Sequence, residues 1–172
     1  MTIDQINSAV SYDPETGIFT WRERSDAPKR WNTRYAGKRA FTSVDCRGYH
    51  QGRIGNQSVL PHRIAFALVH GFMPIGMIDH INGNKRDNRA CNLREATMQQ
   101  NQRNAGPHKD SVSRFRGVSK SKSRKNPWSA RISNAAGDNE YLGIFQTEEA
   151  AARAYDDAAK LHHGEFARLN FQ

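Results

Sequence analysis

The sequence predicts an α+β chain built from two small folding parts, and three observations carry that prediction. Short alternating apolar runs bounded by turn residues mix with one helix-spaced run over roughly the first hundred residues. The stretch Asn104–Ser113, NAGPHKDSVS, then interrupts the pattern with Gly106, Pro107 and small polar residues. After it the order changes to three alternating strands followed by one capped helix. A length of 172 residues with 37% hydrophobic content suits two small cores better than one generous core. The expected division is 1–104, a linker at 105–112, and 113–172.

Within the first part, Asp13–Gly17 (DPETG) reads as a turn leading into a strand at Ile18–Trp21. Tyr49–Ile54 and Ser58–Leu60 read as a hairpin joined by Gly55-Asn56-Gln57. Pro61 suits the first turn of a helix, Ile64, Ala65 and Leu68 follow at helical spacing, and Gly71 and Pro74 stop it. Ile75–Ile81 is the next strand. A polar loop with four asparagines follows, and Leu93–Ala96 returns as a strand. Thr97-Met98-Gln99-Gln100 has the capping-box spacing that opens a helix, with Asn101 in its first turns.

In the second part, Phe115–Lys120, Trp128–Ser133 and Glu140–Phe145 are the strands. The basic KSKSRKNP segment and the turn at Asn134–Asn139 connect them. Thr147 caps a helix whose acidic start, Glu148-Glu149, complements the helix dipole. The helix runs to about His162 and Gly164 ends it. Ala150, Ala154, Ala158 and Leu161 are its expected apolar face, and Ile132, Leu142 and Phe145 are expected in the core with them.

Charge narrows the partners. There are 26 Lys+Arg against 17 Asp+Glu, a net charge of +9, which draws a chain of this size to polyanions. The longest apolar run, Ile64–Val69, is too short for a membrane span, and the first residues show no secretory signal. Cys46 and Cys91 form no C-x-x-C pair, which argues for a reducing, cytoplasmic setting and against a thiolate zinc site. No membrane association and no structural zinc are expected.

The stretch DHINGNKRDNRACNL, Asp79–Leu93, concentrates the chemistry. A neutral histidine beside a carboxylate that holds a cation is a suitable base for activating water. Magnesium prefers oxygen ligands and keeps several waters, so a carboxylate and an amide oxygen suffice as anchors; Asp79 and Asn101 supply these. A calcium loop does not fit, because Ile81 stands where an oxygen ligand is needed.

Asp79-His80-Ile81-Asn82-Gly83-Asn84-Lys85, Asn88-Arg89, Asn92-Leu93-Arg94 and Asn101 together resemble the HNH endonucleases, closest to the phage and intron-encoded homing type in its H-N-N variant. His62-Arg63 and the opening DPETGIFTW of Asp13–Trp21 extend that resemblance over most of residues 10–104. It implies a ββα-metal core at about 75–104. It also implies His80 as general base, Asp79 and Asn101 as ligands of one divalent cation, and Asn92 as the residue that ties the loop and orients His80. With asparagine at the third position, magnesium is the expected ion, manganese the next. Arg63, Lys85 and Arg89 are the expected phosphate rim, with His62 either structural or a phosphate contact.

Phe115-Arg116-Gly117-Val118, Trp128–Ile132, Tyr141–Phe145, Glu148–Asp156, Gly164 and Leu169-Asn170-Phe171 resemble the APETALA-type, ethylene-response-factor DNA-binding domain. That resemblance implies a three-stranded sheet in the DNA major groove with a helix behind it. Arg116, Lys120, Lys122, Trp128, Arg131 and Tyr141 would face DNA, with Trp128 equally readable as core. The two resemblances together imply a site-selective, metal-dependent endonuclease acting on double-stranded DNA and leaving 5′-phosphate and 3′-hydroxyl ends. A monomer would nick and a homodimer could cut both strands. The setting would be the cytoplasm, of a bacterial host if the chain is phage-encoded. The alternative is a DNA-binding regulator with an inactive nuclease site.

Overall fold

The structure is a computed structural model and describes residues 1–107, 111–134 and 136–171. It divides into two compact units, Met1–Thr97 and Met98–Gln172. The composition break at Asn104–Ser113 had suggested a later division, and part of that break, residues 108–110, lies outside the described residues.

The first unit begins with a helix, α1 (Ile3–Ala9), opened by a capping box. The Thr2 hydroxyl accepts from the Gln5 amide at 3.2 Å, and the Gln5 side chain accepts from the Thr2 amide at 2.9 Å. α1 buries Ile6 and Ala9 and leads directly into β1 (Val10–Asp13), paired antiparallel with β2 (Ile18–Trp21). Next come α2 (Lys29–Tyr35), which buries no residue, and a three-stranded sheet of β3 (Ser43–Val44), β4 (His50–Ile54) and β5 (Gln57–Val59) in that order. Gly52 on β4 leaves room for the Phe41 ring, since a Cβ there would lie 2.3 Å from it.

Helix α3 (Pro61–His70) has proline in its first turn and ends at Gly71 in the left-handed conformation, as its sequence signals predict. It is the central packing element and buries Ile64, Ala65, Phe66 and Ala67. Together with Ile6, Val10, Phe19, Phe41, Ile54, Ile78 and Leu93 these form the core of the unit, all but Ala67 in one apolar cluster. The final pair is β6 (Met77–His80) with β7 (Leu93–Ala96), antiparallel, with His80 opposite Leu93 and Asp79 opposite Arg94. β6 is shorter than the expected Ile75–Ile81: Ile75 is fully exposed and Ile81 lies in the turn that follows.

The second unit starts with α4 (Met98–Arg103), which packs against the 3₁₀ turn Gly164–Phe166. Strands β8 (Val118–Lys120), β9 (Trp128–Ser133) and β10 (Asn139–Phe145) form one antiparallel sheet in the order β10-β9-β8. A bulge between Tyr141 and Gly143 uses Gly143 at φ 120°. Helix α5 (Glu148–His163), capped by the Thr147 hydroxyl on the Ala150 amide, covers one face of the sheet.

The buried face of α5 differs from the expected one. Ala151, Ala152, Tyr155, Asp156 and Ala159 are buried, whereas Leu161 is 81% exposed and Ala150, Ala154 and Ala158 are only partly covered. The alanines are too uniform to define a stripe, and the single large ring, Tyr155, sets the rotation by packing with Ile132 and Ala159. Buried Asp156 accepts the amides of Asn170 (2.8 Å) and Phe171 (2.9 Å), and so ties the C-terminal tail across the helix. Among the described residues no helix is long and apolar enough to cross a membrane.

Candidate active site

The end of β6 and the loop after it bury an unusual amount of polarity. His62, Asp79, His80, Asn88 and Asn92 are each less than a tenth exposed. Buried polar groups need partners, and the loop supplies them from its own asparagines. The Asn92 carboxamide accepts the Asn82 amide (2.9 Å) and donates to the Asp87 carbonyl (2.8 Å), so one side chain braces both ends of the loop. Its backbone carbonyl accepts from Ile81 (2.9 Å). Asn82 and Asn84 accept amides two residues on, the ordinary turn chemistry of asparagine. Asp87 takes a bidentate ion pair from Arg89 and a bond from the Asn82 side chain, which hold its carboxyl down at about 2.

His80 ends β6 with its Nε2 3.2 Å from the Asn88 Oδ1. Burial pushes its imidazole below the usual histidine value, against the opposing pull of the Asn88 bond and the Asp79 charge. At neutral pH the ring is therefore neutral, the state a general base requires. Two rings wall it in. His62 from α3 lies 5.2 Å away and Tyr49 lies 5.8 Å away, centroid to centroid. His62 is itself driven down to about 3 by burial and by the His80, Arg63 and Arg47 charges. It is a wall of the site and not an exposed phosphate contact.

Asp79 is 4% exposed and faces Arg94 across the strand pair. Arg94 Nε (3.0 Å) and Nη2 (2.9 Å) both donate to the Asp79 Oδ2. Two motif residues to which sequence reasoning assigned no role thus touch the expected pair directly: Asn88 on His80 and Arg94 on Asp79. The DPETG turn also gains a purpose. The Tyr12 hydroxyl donates to the Asn88 carbonyl (2.8 Å), and the Pro14 carbonyl accepts from Ala90 (2.9 Å). Gly17 at φ 70° lies so close that a Cβ would stand 2.5 Å from the Arg89 amide nitrogen. The signal was present as a turn; only folding shows that it supports the loop.

The donor chemistry suits a hard divalent cation. The buried Asp79 brings a carboxylate, an oxygen donor of the kind such a cation takes. Among the described residues no three His, Cys, Asp or Glu side chains form a metal group. A cation at Asp79 would share the carboxylate with Arg94. Asn101, the other expected ligand, stands on α4 in the second unit.

The expected phosphate rim separates into different roles. Arg63 is not free for phosphate: its guanidinium donates to the carbonyls of Gly76 (2.6 Å) and Pro74 and so fixes α3 to the approach of β6. Arg89 is paired with Asp87. Lys85 donates to the Arg47 carbonyl (2.9 Å) and lies 4.8 Å from the centre of the Tyr49 ring.

In the second unit the six expected DNA-facing residues also divide. Arg131 and Tyr141 are cross-strand partners on the face away from α5, both exposed, with the guanidinium 5.7 Å from the ring. Lys122 is exposed in the connection after β8. Trp128 shares the face of Ala130 and packs, partly buried, on the core of Phe115, Val118 and Ala130. Lys120, its strand partner, covers its ring at 3.6 Å. Arg116 is a correction: its guanidinium donates to the carbonyls of Gln102 (2.8 Å), Arg103 (2.8 Å) and Ala105, closing the C-terminal end of α4.

Comparison with known proteins adds two findings. An HNH endonuclease family model matches residues 59–103, the stretch that carries α3, β6, the asparagine loop, β7 and α4. The AP2-like ethylene-responsive transcription factor PLT2 of Arabidopsis thaliana is 45% identical over 62 residues, 36% of this chain and 11% of that protein. APETALA2-like protein 2 of Oryza sativa subsp. indica is 46% identical over 61 residues, 35% of this chain and 14% of that protein. The chain therefore spans only a small part of these curated relatives. It carries an HNH endonuclease domain match and, over about a third of its length, a stretch similar to AP2-like proteins.

Proposed function

We propose that the protein is a metal-dependent DNA endonuclease of the homing type, with cutting chemistry at His80 and target reading in the second unit. The observation that carries this reading is the buried, neutral His80. It is held against Asn88 and enclosed by His62 and Tyr49, within the stretch that matches the HNH endonuclease model. Asp79 is the proposed ligand of one magnesium or manganese ion, with Asn101 the second ligand that the sequence resemblance implies. A bound cation would supply Lewis acidity at the scissile phosphate and the departing 3′ oxygen.

The chain's own residues do the rest. His80 accepts the proton of the attacking water at a ring nitrogen, the second nitrogen being held by Asn88. Asn92 keeps the loop closed so that Asn88 and His80 stay in register. His62 and Tyr49 keep bulk water from the ring. Arg131 and Tyr141, from the open sheet face, and Lys122 beside it are the proposed DNA contacts of the second unit. Lys85 and Arg89 are the proposed cations nearest the cleaved strand. The AP2-like similarity and the net charge of +9 support double-stranded DNA as the partner.

The test is cleavage of supercoiled plasmid with magnesium, comparing the wild type with His80→Ala and with excess chelator. Nicked or linear product that disappears in both controls, with duplex binding intact, supports the reading. Tight binding without cleavage by the wild type would favour the regulator with an inactive site. Cleavage surviving in His80→Ala would move the base to another residue.

A further inference from the structure

Helix α2 and its flanks stand outside the stretch matched by the HNH endonuclease model, and they break a local rule. From Arg22 to Arg39 the chain has seven basic side chains and two acidic ones. Asp26 is used by Arg24, with contacts of 3.0 and 2.6 Å. Lys29, Arg30, Arg34 and Lys38 are exposed and enter no ion pair among the described residues. Arg30 and Arg34 are four apart, on one face of the helix, where like charges repel. The helix has only seven residues, buries none of them and has no side-chain N-cap. Among the described residues no carboxylate pairs with either arginine, a local conflict of the kind that marks a functional surface.

The helix is nevertheless firmly mounted. Trp31 and Tyr35, one position along from the arginines, form the neighbouring stripe. Trp31 meets Trp21 edge-on at 5.5 Å and Tyr35 at 5.2 Å. Asn32 exchanges two bonds with the Arg24 backbone at 2.7 and 3.1 Å. The rings also hold cations in place: Arg24 lies 5.5 Å from the Trp31 ring and Arg34 lies 5.3 Å from the Tyr35 ring. A cleft of about 460 Å³ opens beside them, lined also by Arg53. The result is a rigid base of aromatic rings carrying unpaired cations outward.

We propose that α2 is a further DNA-contacting surface, in which Arg30 and Arg34, assisted by Lys29, bind the phosphate backbone of duplex DNA. An anionic membrane is the poorer partner. Trp31 is turned onto Trp21 and Tyr35 onto Trp31, and both rings are partly buried, so α2 has no apolar face to insert. Phosphate contacts of this kind position a duplex without reading its sequence. The inference rests on the reading of the chain as a protein that acts on duplex DNA.

The experiment measures binding of a labelled duplex to the full chain across a salt series, with His80→Ala in every sample to prevent cutting. Two lost phosphate contacts lower the log–log salt slope by about 1.8. That drop is expected for Arg30→Ala/Arg34→Ala, while Arg30→Lys/Arg34→Lys keeps the parent slope. An unchanged slope in the alanine variant overturns this proposal and leaves the endonuclease reading standing. A parent protein that does not bind duplex DNA overturns both. Loss of slope in the lysine variant as well would assign the arginines a structural role. Binding to phosphatidylserine vesicles in preference to duplex would assign the surface to membranes.

Discussion

The two units bury polar groups for different ends. In the first, the buried polar set is concentrated around one point, His80, and includes a histidine pair, a carboxylate and two asparagines. In the second, the buried polar groups are scattered and tie chain to chain. Asp156 holds the tail, Ser113 donates to Glu148 (2.6 Å), and His163 bonds the Ser133 carbonyl (2.7 Å). Concentrated burial of titratable groups is expensive and signals chemistry; dispersed burial is how a thin sheet-and-helix unit gains a single conformation. Surface charge runs the other way. The open face of the second unit's sheet leaves Arg131 and Tyr141 exposed, whereas Arg63 in the first unit is held by the protein's own carbonyls.

This contrast can be broken most directly by mutation in each unit. His80→Ala is expected to lower cleavage by about 10²- to 10⁴-fold, the usual worth of a positioned base, with duplex binding unchanged. Arg131→Ala should do the reverse: weaker binding in a gel-shift titration, and near-normal single-turnover cleavage once DNA is saturating. If both variants lose the same property, the division of labour is wrong.

Acid should separate the units next. The His62 imidazole is held at about 3 in the folded protein, against 6.5 for an ordinary histidine. The unfolded chain therefore takes up its proton first as pH falls. The stabilising effect is complete above 6.5 and is lost progressively between about 6.5 and about 3, on the order of 5 kcal/mol in all. Urea unfolding of the chain at stepped pH should show this slope, and His62→Gln should flatten it.

A matched pair of glycine substitutions sharpens the comparison. Gly17→Ala would place a Cβ 2.5 Å from the Arg89 amide nitrogen, and Gly117→Ala would place one 2.1 Å from the Tyr155 ring, each at a φ near 70°. Each should cost about 1–3 kcal/mol. Gly17→Ala strains the loop that holds Asn88 and should reduce cleavage. Gly117→Ala strains the sheet against α5 and should reduce duplex binding. The smallest effect is expected for Arg116→Ala, about 1 kcal/mol, read as faster amide exchange over residues 98–104 because the carbonyl end of α4 loses its donors.

Much of the fold was legible because it is written in local chemistry. Pro61 and Gly71 mark both ends of α3, and Thr147 starts α5. The alternation in β9 and the glycine-containing turn before β10 were equally readable. The capping box Thr2-x-x-Gln5 was readable too but went unread, and with it α1. Helix α2 had no comparable signal: its N-cap is Pro28 without a side-chain bond, and it is held by the contact of Trp31 with the distant Trp21 and by Asn32 on the Arg24 backbone.

By itself the sequence determined the polar loop after β6, because Asn82, Asn84 and Asn92 bond backbone groups within that same loop. It also determined that three strands precede a capped helix in the second unit. Tertiary structure decided what the arginines do. A guanidinium looks the same in sequence whether it meets a phosphate or a carbonyl, and only the fold brings Pro74 and Gly76 to Arg63, or the end of α4 to Arg116. It likewise decided which face of α5 is buried, since among many alanines one distant contact of Tyr155 outweighs the helical period.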